Sequence, residues 1–141
     1  MLPYRRTMSD WNQRVIDEFR ANDGVVGGPF EGKPILLLHH QGAKSGRWRV
    51  SPLAYFADGD RWAVFGSRGG SDSNPAWYHN LMAHPEVRIE VGHETIDVAA
   101  REVHGDERRR IYDAHAAGWP IFAEYERKTE RSIPVIVLER R

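Results

Sequence analysis

The sequence predicts an α+β, mainly β fold in which about six antiparallel strands form a barrel with about four helices packed at its ends. Most of the predicted strands are joined by short turns and not by helical crossovers. Residues 86–91 alternate strictly between apolar and charged side chains, as a half-exposed antiparallel strand does. The length of 141 residues suits one domain. We therefore expect a barrel domain over residues 25–141, preceded by an amphipathic helical flank over residues 1–24.

The flank is predicted to be a helix from about Trp11 to Arg20, with Ser9 or Asp10 as its N-cap. Its apolar residues recur near helical spacing and are Trp11, Val15, Ile16 and Phe19. This apolar face is expected to pack on the barrel. The alternative is a weak contact with a membrane surface.

The remaining elements follow from turn and periodicity signals. Strands are expected at about 34–40, 47–56, 61–66, 86–91, 94–103 and 133–138, the last apolar on both faces and therefore central. Asn74 is expected to cap a helix whose first residue is Pro75 and which ends near Ala83. Two further helices are expected at about 106–117 and, after the break at 118–120, up to Lys128.

Composition excludes several classes of function. Lys plus Arg and Asp plus Glu each total 20, which argues against bulk electrostatic binding to nucleic acid. The absence of cysteine excludes disulfides, a thiolate nucleophile and a cysteine metal site. The seven histidines show no H-E-x-x-H spacing, so no metal is predicted. No apolar run is long enough to span a bilayer, so we expect a cytoplasmic location, with the inner membrane surface as the alternative.

The segment from Gly42 to Leu53 is locally basic. No Asp or Glu occurs between residues 32 and 57, and Arg47, Arg49 and Ser51 are expected on one face of a strand that follows Lys44. Cations beside glycines that expose backbone N–H groups are typical of an anion site. A solvated strand edge guarded by charge is the alternative. The segment is not a P-loop, because Ala43 stands where that motif requires glycine.

Two further segments are candidates for a ligand site. The glycines within residues 66–80 would let a flat ligand approach the backbone, and an ordinary flexible loop is the alternative. Trp119, Phe122 and Tyr125 recur every three residues and predict an aromatic stripe. Core packing and a helical flap over a ligand are its two interpretations.

These motifs occur in a specific order along nearly the whole chain from Trp11. They are Gly42–Gly46 with Arg47 and Arg49, Pro52–Leu53, Ser67–Gly70, Asn74–Tyr78 with Asn80–Leu81, Ala83–Pro85 and Ile133–Val135. The set resembles the deazaflavin-dependent nitroreductase family, small actinobacterial split-barrel proteins that use coenzyme F420. The resemblance implies an FMN-binding-like split β-barrel.

The resemblance also implies which residues bind the coenzyme. Its phosphate and oligoglutamate tail would lie on Lys44, Ser45, Gly46, Arg47 and Arg49. The ring would rest against Ser51, Pro52, Leu53, Ser67, Arg68, Gly69 and Gly70, with Trp77 and Asn80 shaping that pocket. The function implied is hydride transfer from the reduced coenzyme to a quinone, a nitroaromatic or another electron-poor unsaturated acceptor.

Family members hold substrate with tyrosines on the C-terminal flap, and the corresponding positions here are Trp119, Phe122 and Tyr125. Only Tyr125 keeps a phenol, so it is the candidate catalytic residue, and we expect weaker or different nitroreductase activity than in a typical member. Two alternatives stay open: an FMN-dependent oxidoreductase, whose single phosphate needs fewer cations, and a non-catalytic coenzyme carrier. The sequence predicts no oligomeric state.

Overall fold

The computed structural model describes residues 8–141, so residues 1–7 of the predicted flank lie outside the described residues. The helices in this range are α1 (Met8–Ala21), α2 (Ala76–Ala83), α3 (Gly105–Gly118) and α4 (Ile121–Lys128). The strands are β1 (Ile35–Gln41), β2 (Trp48–Asp58), β3 (Arg61–Phe65), β4 (Glu86–Val91), β5 (Glu94–Val103) and β6 (Val135–Arg140). Short 3-10 helices occur at Gly28–Phe30 and Arg68–Gly70.

The six strands form a closed antiparallel barrel in the order β1-β2-β3-β6-β5-β4. This confirms the predicted fold class. Strand β6 lies between β3 and β5, and Val135 to Leu138 are all buried, so the prediction of a central final strand is also confirmed. The β1–β4 seam pairs only Leu37, Leu38 and His39 with residues 88–90.

The interior of the barrel is filled by the inward-facing residues of the strands. Leu36, Leu38, Val64, Ile136 and Leu138 belong to this core and are fully buried. Helix α2 adds Trp77 and Leu81 to the same cluster. Because a helix can reach the interior of a closed barrel only through an end, α2 closes one end of it.

Two helical layers cover the outside of the barrel. Helices α3 and α4 pack Ile111, Tyr112 and Phe122 against outward residues of β3 and β6 such as Phe65 and Val137. The Tyr112 hydroxyl donates a hydrogen bond to the Phe122 carbonyl oxygen at 2.6 Å and joins the two helices. This outer layer is therefore a second core, separate from the barrel interior.

Helix α1 packs its apolar face on β1. Val15, Ile16 and Phe19 are buried in a cluster that includes Ile35 and Leu37. The Arg20 guanidinium pairs with Glu90 of β4 at 2.7 Å, which ties the end of α1 to the barrel. The contact that this helix makes is therefore with the barrel, and no helix among residues 8–141 is long and apolar enough to cross a membrane.

Two predicted helix caps are wrong. Helix α1 begins at Met8, so Ser9 and Asp10 lie in its first turn, where an acidic residue still interacts favourably with the helix dipole. Helix α2 begins at Ala76 with Pro75 as its N-cap. Asn74 does not cap it, because the Asn74 side-chain oxygen accepts a hydrogen bond from the Arg131 guanidinium at 2.7 Å. A charge-assisted bond of this kind is stronger than a neutral cap.

Candidate functional site

The turn that joins β1 to β2 is built by its own hydrogen bonds. The Gly42 N–H donates to the Arg47 carbonyl at 2.8 Å, and the Gly46 N–H donates to the Gly42 carbonyl at 2.9 Å. The Arg47 N–H donates to the Ser45 hydroxyl at 3.2 Å. Gly46 adopts a φ of +70°, a conformation that favours glycine. The result is a tight turn with Lys44 at its exposed tip.

Three exposed cations, Lys44, Arg47 and Arg49, surround this turn. Within residues 8–141 none of the three forms an ion pair with a carboxylate, although eight other arginines do. Arg49 lies opposite His40 in the β1–β2 register, at the end of the barrel where α2 packs. This surface can therefore bind an anionic group without displacing a partner of its own.

A buried polar network lies beneath the turn. The Asn80 side-chain nitrogen donates to His40 Nδ1 at 2.8 Å, and the Asn80 side-chain oxygen Oδ1 accepts from the Ala43 N–H at 2.9 Å. His40 Nε2 lies 2.9 Å from the Ser51 hydroxyl. Burial, and then the charges of Arg49 and His39, lower the pKa of His40 to about 4. His40 is therefore neutral near pH 7, with Nδ1 as acceptor and Nε2 as donor in the arrangement that satisfies both bonds.

This network connects four parts of the site: the turn, β1, β2 and α2. Only 3% of His40 and 7% of Asn80 is exposed. The side-chain nitrogen and the side-chain oxygen of Asn80 both hydrogen-bond within the protein, so Asn80 supports the turn from below. Sequence reasoning missed His40. Its signal was a polar residue at the inward position of β1, in the alternation that places Leu36 and Leu38 in the core.

The loop that follows β3 has an unusual backbone. Arg68, Gly69 and Gly70 have φ angles of +45°, +65° and +81°. A Cβ at Gly70 would lie 3.0 Å from the Tyr125 carbonyl oxygen and 3.1 Å from Lys128 Cβ, so glycine allows α4 to approach this closely. The Arg68 guanidinium donates to the Ser73 hydroxyl within the same loop.

Arg131 holds this loop in place from the far side. Its guanidinium donates to the Ser67 carbonyl at 2.9 Å, to the Ser71 carbonyl at 2.8 Å and to the Asn74 side-chain oxygen at 2.7 Å. One side chain thus fixes both ends and the middle of the segment 67–74. Sequence reasoning missed Arg131, and no local pattern could have found it, because the residues that it binds lie about 60 positions earlier.

The predicted aromatic stripe is present. Trp119 caps the C-terminus of α3, and its ring centroid lies 5.2 Å from that of Phe122 in α4, which lies 5.2 Å from that of Tyr125. Phe122 is only 6% exposed and packs in the outer core. The Tyr125 hydroxyl forms no hydrogen bond to any residue from 8 to 141, unlike those of Tyr112 and Tyr78.

The candidate ring-binding residues come from two neighbouring strands. Strands β2 and β3 pair antiparallel from Asp58 with Arg61 to Tyr55 with Val64, so β3 runs back toward the start of β2 and the Ser67–Gly70 loop follows its end. Ser51, Pro52 and Leu53 are half-buried. Trp77, expected to shape the pocket, is 8% exposed and packs in the barrel core. The fold thus brings the basic turn, the 51–53 segment and the loop to one end of β2. Their binding role stays a prediction.

Comparison with known proteins identifies relatives over most of the chain. The F420H(2)-dependent quinone reductase family model matches residues 11–140. An F420H(2)-dependent quinone reductase of Mycobacterium tuberculosis (strain ATCC 25618 / H37Rv) is 38% identical over 127 residues, which cover 87% of this chain and 85% of that protein.

Solved structures agree with this. A structure described as an F420-H2 dependent reductase has a TM-score of 0.70 and 38% identity, covering 75% of this chain and 94% of that one. Another, described as a domain-swapped dimer, has a TM-score of 0.72 and 35% identity, covering 94% of this chain and all of that one. The split-barrel fold and the order of the motifs agree with these matches. The chain belongs to the F420H(2)-dependent quinone reductase family, a family of oxidoreductases that depend on reduced coenzyme F420.

Proposed function

We propose that this protein binds reduced coenzyme F420 at the end of β2 and promotes hydride transfer from it to a quinone. The observation that carries the proposal is the set of three exposed cations, Lys44, Arg47 and Arg49, that have no carboxylate partner within the described chain. The family membership identifies the coenzyme as F420, and these three residues are the proposed binding site for its anionic tail.

The donor set fits the chemistry of this coenzyme. A phosphate followed by an oligoglutamate tail carries several negative charges, and three cations on a glycine turn match a tail of that kind better than they match a single phosphate. The network of His40 and Asn80 holds the turn through the Ala43 N–H, which orients the cations before the ligand arrives. Preorganisation of this kind raises affinity, because less conformational freedom is lost on binding.

The ring would lie between the 51–53 segment and the 67–70 loop. When bound, the reduced coenzyme supplies the hydride. The work of the protein is to hold the ring and the acceptor in contact and to exclude water. Gly69 and Gly70 allow close approach to the backbone, and Arg131 keeps the loop from moving away.

Tyr125 is the residue through which we propose that the protein touches the acceptor. Its hydroxyl has no partner among residues 8–141, so it can donate a hydrogen bond to an acceptor oxygen. Loss of such a bond costs about 1 to 3 kcal/mol when the partner stays buried. Tyr125→Phe should therefore lower kcat for menadione roughly tenfold while leaving coenzyme affinity unchanged. Equal turnover by the variant would remove Tyr125 from the proposed mechanism.

Nitro compounds should be poorer acceptors, because the flap carries one phenol and not three. Steady-state rates with the reduced coenzyme should be higher for menadione than for a bicyclic nitroimidazole. Comparable nitroimidazole turnover that is unchanged in Tyr125→Phe would contradict this ranking.

Steady-state reduction of menadione also distinguishes an enzyme from a carrier. The proposal predicts consumption of the reduced coenzyme that depends on both protein and menadione, and no such reaction with reduced FMN at the same concentration. Tight binding of the coenzyme with no reduction of a quinone, a nitro compound or an enone would favour a carrier and contradict the proposed function.

We also propose that the protein meets its acceptor without attachment to a membrane through α1. The support is that Val15, Ile16 and Phe19 are buried against the barrel, which among residues 10–21 leaves Trp11, 40% exposed, as the large apolar side chain outside that contact. The full chain should remain in the soluble fraction when it is floated with liposomes of anionic phospholipid. Flotation of most of the protein would show a peripheral membrane location.

A further inference from the structure

A cavity of about 250 Å³ lies between β2 and α3, outside the barrel. Its walls include Tyr55 and Phe56 of β2, His115 of α3, and Trp119 and Lys33 from the adjoining segments. A cavity of roughly 150 Å³ takes a benzene ring, and pockets for drug-sized ligands begin near 300 Å³. The volume therefore suits a molecule of one or two rings.

The walls of this cavity are apolar and aromatic apart from one cation. The Lys33 ammonium nitrogen lies 5.2 Å from the centroid of the Trp119 ring and 3.4 Å from the Gly118 carbonyl oxygen. Within the described part of the chain Lys33 has no carboxylate partner. A cation in this position offers its hydrogen bonds to whatever enters the cavity beside the Trp119 ring.

His115 does not add a second charge. It is 5% exposed, its ring stacks on Phe65 at 4.1 Å, and its Nε2 atom has no hydrogen-bond partner among residues 8–141. Burial, and then the charge of Lys33, lower the pKa of His115 to about 4, so the ring is neutral near pH 7. Among residues 8–141, Lys33 is therefore the one charged group in the wall of the cavity.

The cavity adjoins the proposed site through Trp119. This ring belongs to the wall of the cavity and also begins the aromatic row that continues through Phe122 to Tyr125. The backbone carbonyl of Tyr125 in turn lies beside Gly70 in the proposed coenzyme loop. A molecule held at Trp119 is thus at one end of the aromatic row whose other end is Tyr125.

We propose that this cavity is an acceptor subsite for a one- or two-ring aromatic group, and that Lys33 selects groups bearing an anionic oxygen. Its role as an acceptor subsite rests on the proposed function. The binding of an aromatic anion does not. The aromatic walls supply stacking and apolar contact, and the ammonium group supplies a charge-assisted hydrogen bond that a neutral ring lacks.

Calorimetric titration of the full chain without coenzyme tests the site with two naphthoquinones of similar size. 2-Hydroxy-1,4-naphthoquinone is an anion at pH 7.5, and menadione is neutral. Lys33→Met should weaken binding of the anion about tenfold and change menadione affinity less than about threefold, because one charge-assisted bond is lost only for the anion. Lys33→Arg should restore most of the affinity for the anion.

Arg140→Met is the matched control, because it removes a cation that stacks on Trp62 at 5.1 Å, outside the cavity. It should leave both affinities unchanged. Trp119→Leu should weaken both naphthoquinones, since both use the aromatic wall. Melting temperatures of all variants establish that each is folded.

Three results would overturn the proposal: no binding of either naphthoquinone to the unaltered protein, equal affinities for the anion before and after Lys33→Met, or the same loss in Arg140→Met.

Coenzyme titration of the same variants separates this proposal from the proposed function. If coenzyme F420 does not bind to the unaltered protein but the Lys33-dependent anion binding persists, the proposed function fails and the site stands. If the coenzyme binds but binding of the anion does not depend on Lys33, the proposed function stands and the proposed anion site fails.

Discussion

Two basic surfaces of this protein use the same residue types in opposite ways. Near α3, Arg61 and Arg110 both bind Asp58, and Arg61 also pairs with Glu107 at 2.7 Å. Hydrogen bonds from Arg110 and Arg61 hold the pKa of Asp58 below its usual value. Around the 42–46 turn, Lys44 and its neighbouring arginines have no carboxylate partner within the described residues.

The chain has a formal net charge of zero, yet its two basic surfaces differ in whether carboxylates neutralise their arginines. Paired arginines serve the fold, since their charge is satisfied internally. Unpaired cations on a rigid turn add nothing to the fold and raise the local positive potential. The position of the carboxylates, and not the number of arginines, therefore separates a structural surface from a binding surface.

The largest effect is expected from removing the unpaired cations. Lys44→Ala combined with Arg47→Ala should weaken coenzyme F420 binding about 100-fold, because two charge-assisted contacts are lost. The free energy of unfolding should change by less than about 0.5 kcal/mol, since both side chains are exposed. Fluorescence titration and urea unfolding measure the two quantities. An unchanged affinity would mean that the tail lies elsewhere.

Removing an arginine from the ion-paired surface near α3 should lower stability and leave coenzyme binding unchanged. Arg61 is 17% exposed and bonds to Asp58 and Glu107, so Arg61→Met should lower the free energy of unfolding by about 2 kcal/mol. Coenzyme affinity should stay within about twofold, since the site is at the other end of β2. A loss of affinity with unchanged stability would contradict the division between the two surfaces.

The buried network under the turn links stability to binding. Asn80→Leu leaves the Ala43 N–H and His40 Nδ1 without partners and should weaken coenzyme binding about tenfold by loosening the turn. A coenzyme fragment with the ring but without phosphate and glutamates should bind the variant and the unaltered protein equally. Equal loss for the fragment would place Asn80 at the ring and not beneath the tail.

The remaining expected effect is that of pH on the free energy of unfolding. The pKa values of His40 and His115 are both about 4 in the folded protein, against 6.5 when exposed. The unfolded chain therefore binds more protons between these values, and the free energy of unfolding should fall as pH drops from 6.5 to 4. His40→Gln should flatten part of this slope in urea unfolding at several pH values. A slope identical in the variant would exclude His40 as a contributor.

Periodicity and turn signals were enough to predict the barrel. The alternation of residues 86–91 predicted β4, and the apolar run before Leu138 predicted the central strand β6. The basic turn could also be found, because its cations and glycines are neighbours in sequence. These features are local, and local spacing determines which side chains share a face.

Features that depend on distant partners could not be predicted. Asn74 looked like a helix cap but binds Arg131, 57 residues away. His40 and Asn80 meet across 40 residues, and Lys33 reaches Trp119 only after β2 and α3 have packed. Single-sequence spacing carries no information on such contacts, so the support beneath the site and the cavity beside it became visible only in the fold.

The most direct test of the central claim is a fluorescence titration of the purified protein with oxidised coenzyme F420, beside FMN and FAD, at two salt concentrations. We expect selective binding of coenzyme F420 that weakens as salt rises, since exposed charge pairs are screened. The salt dependence should be smaller in the Lys44→Ala, Arg47→Ala protein and unchanged in Arg61→Met. Preference for FMN, or coenzyme affinity that does not change with salt, would contradict the assignment of the unpaired cations to the coenzyme tail.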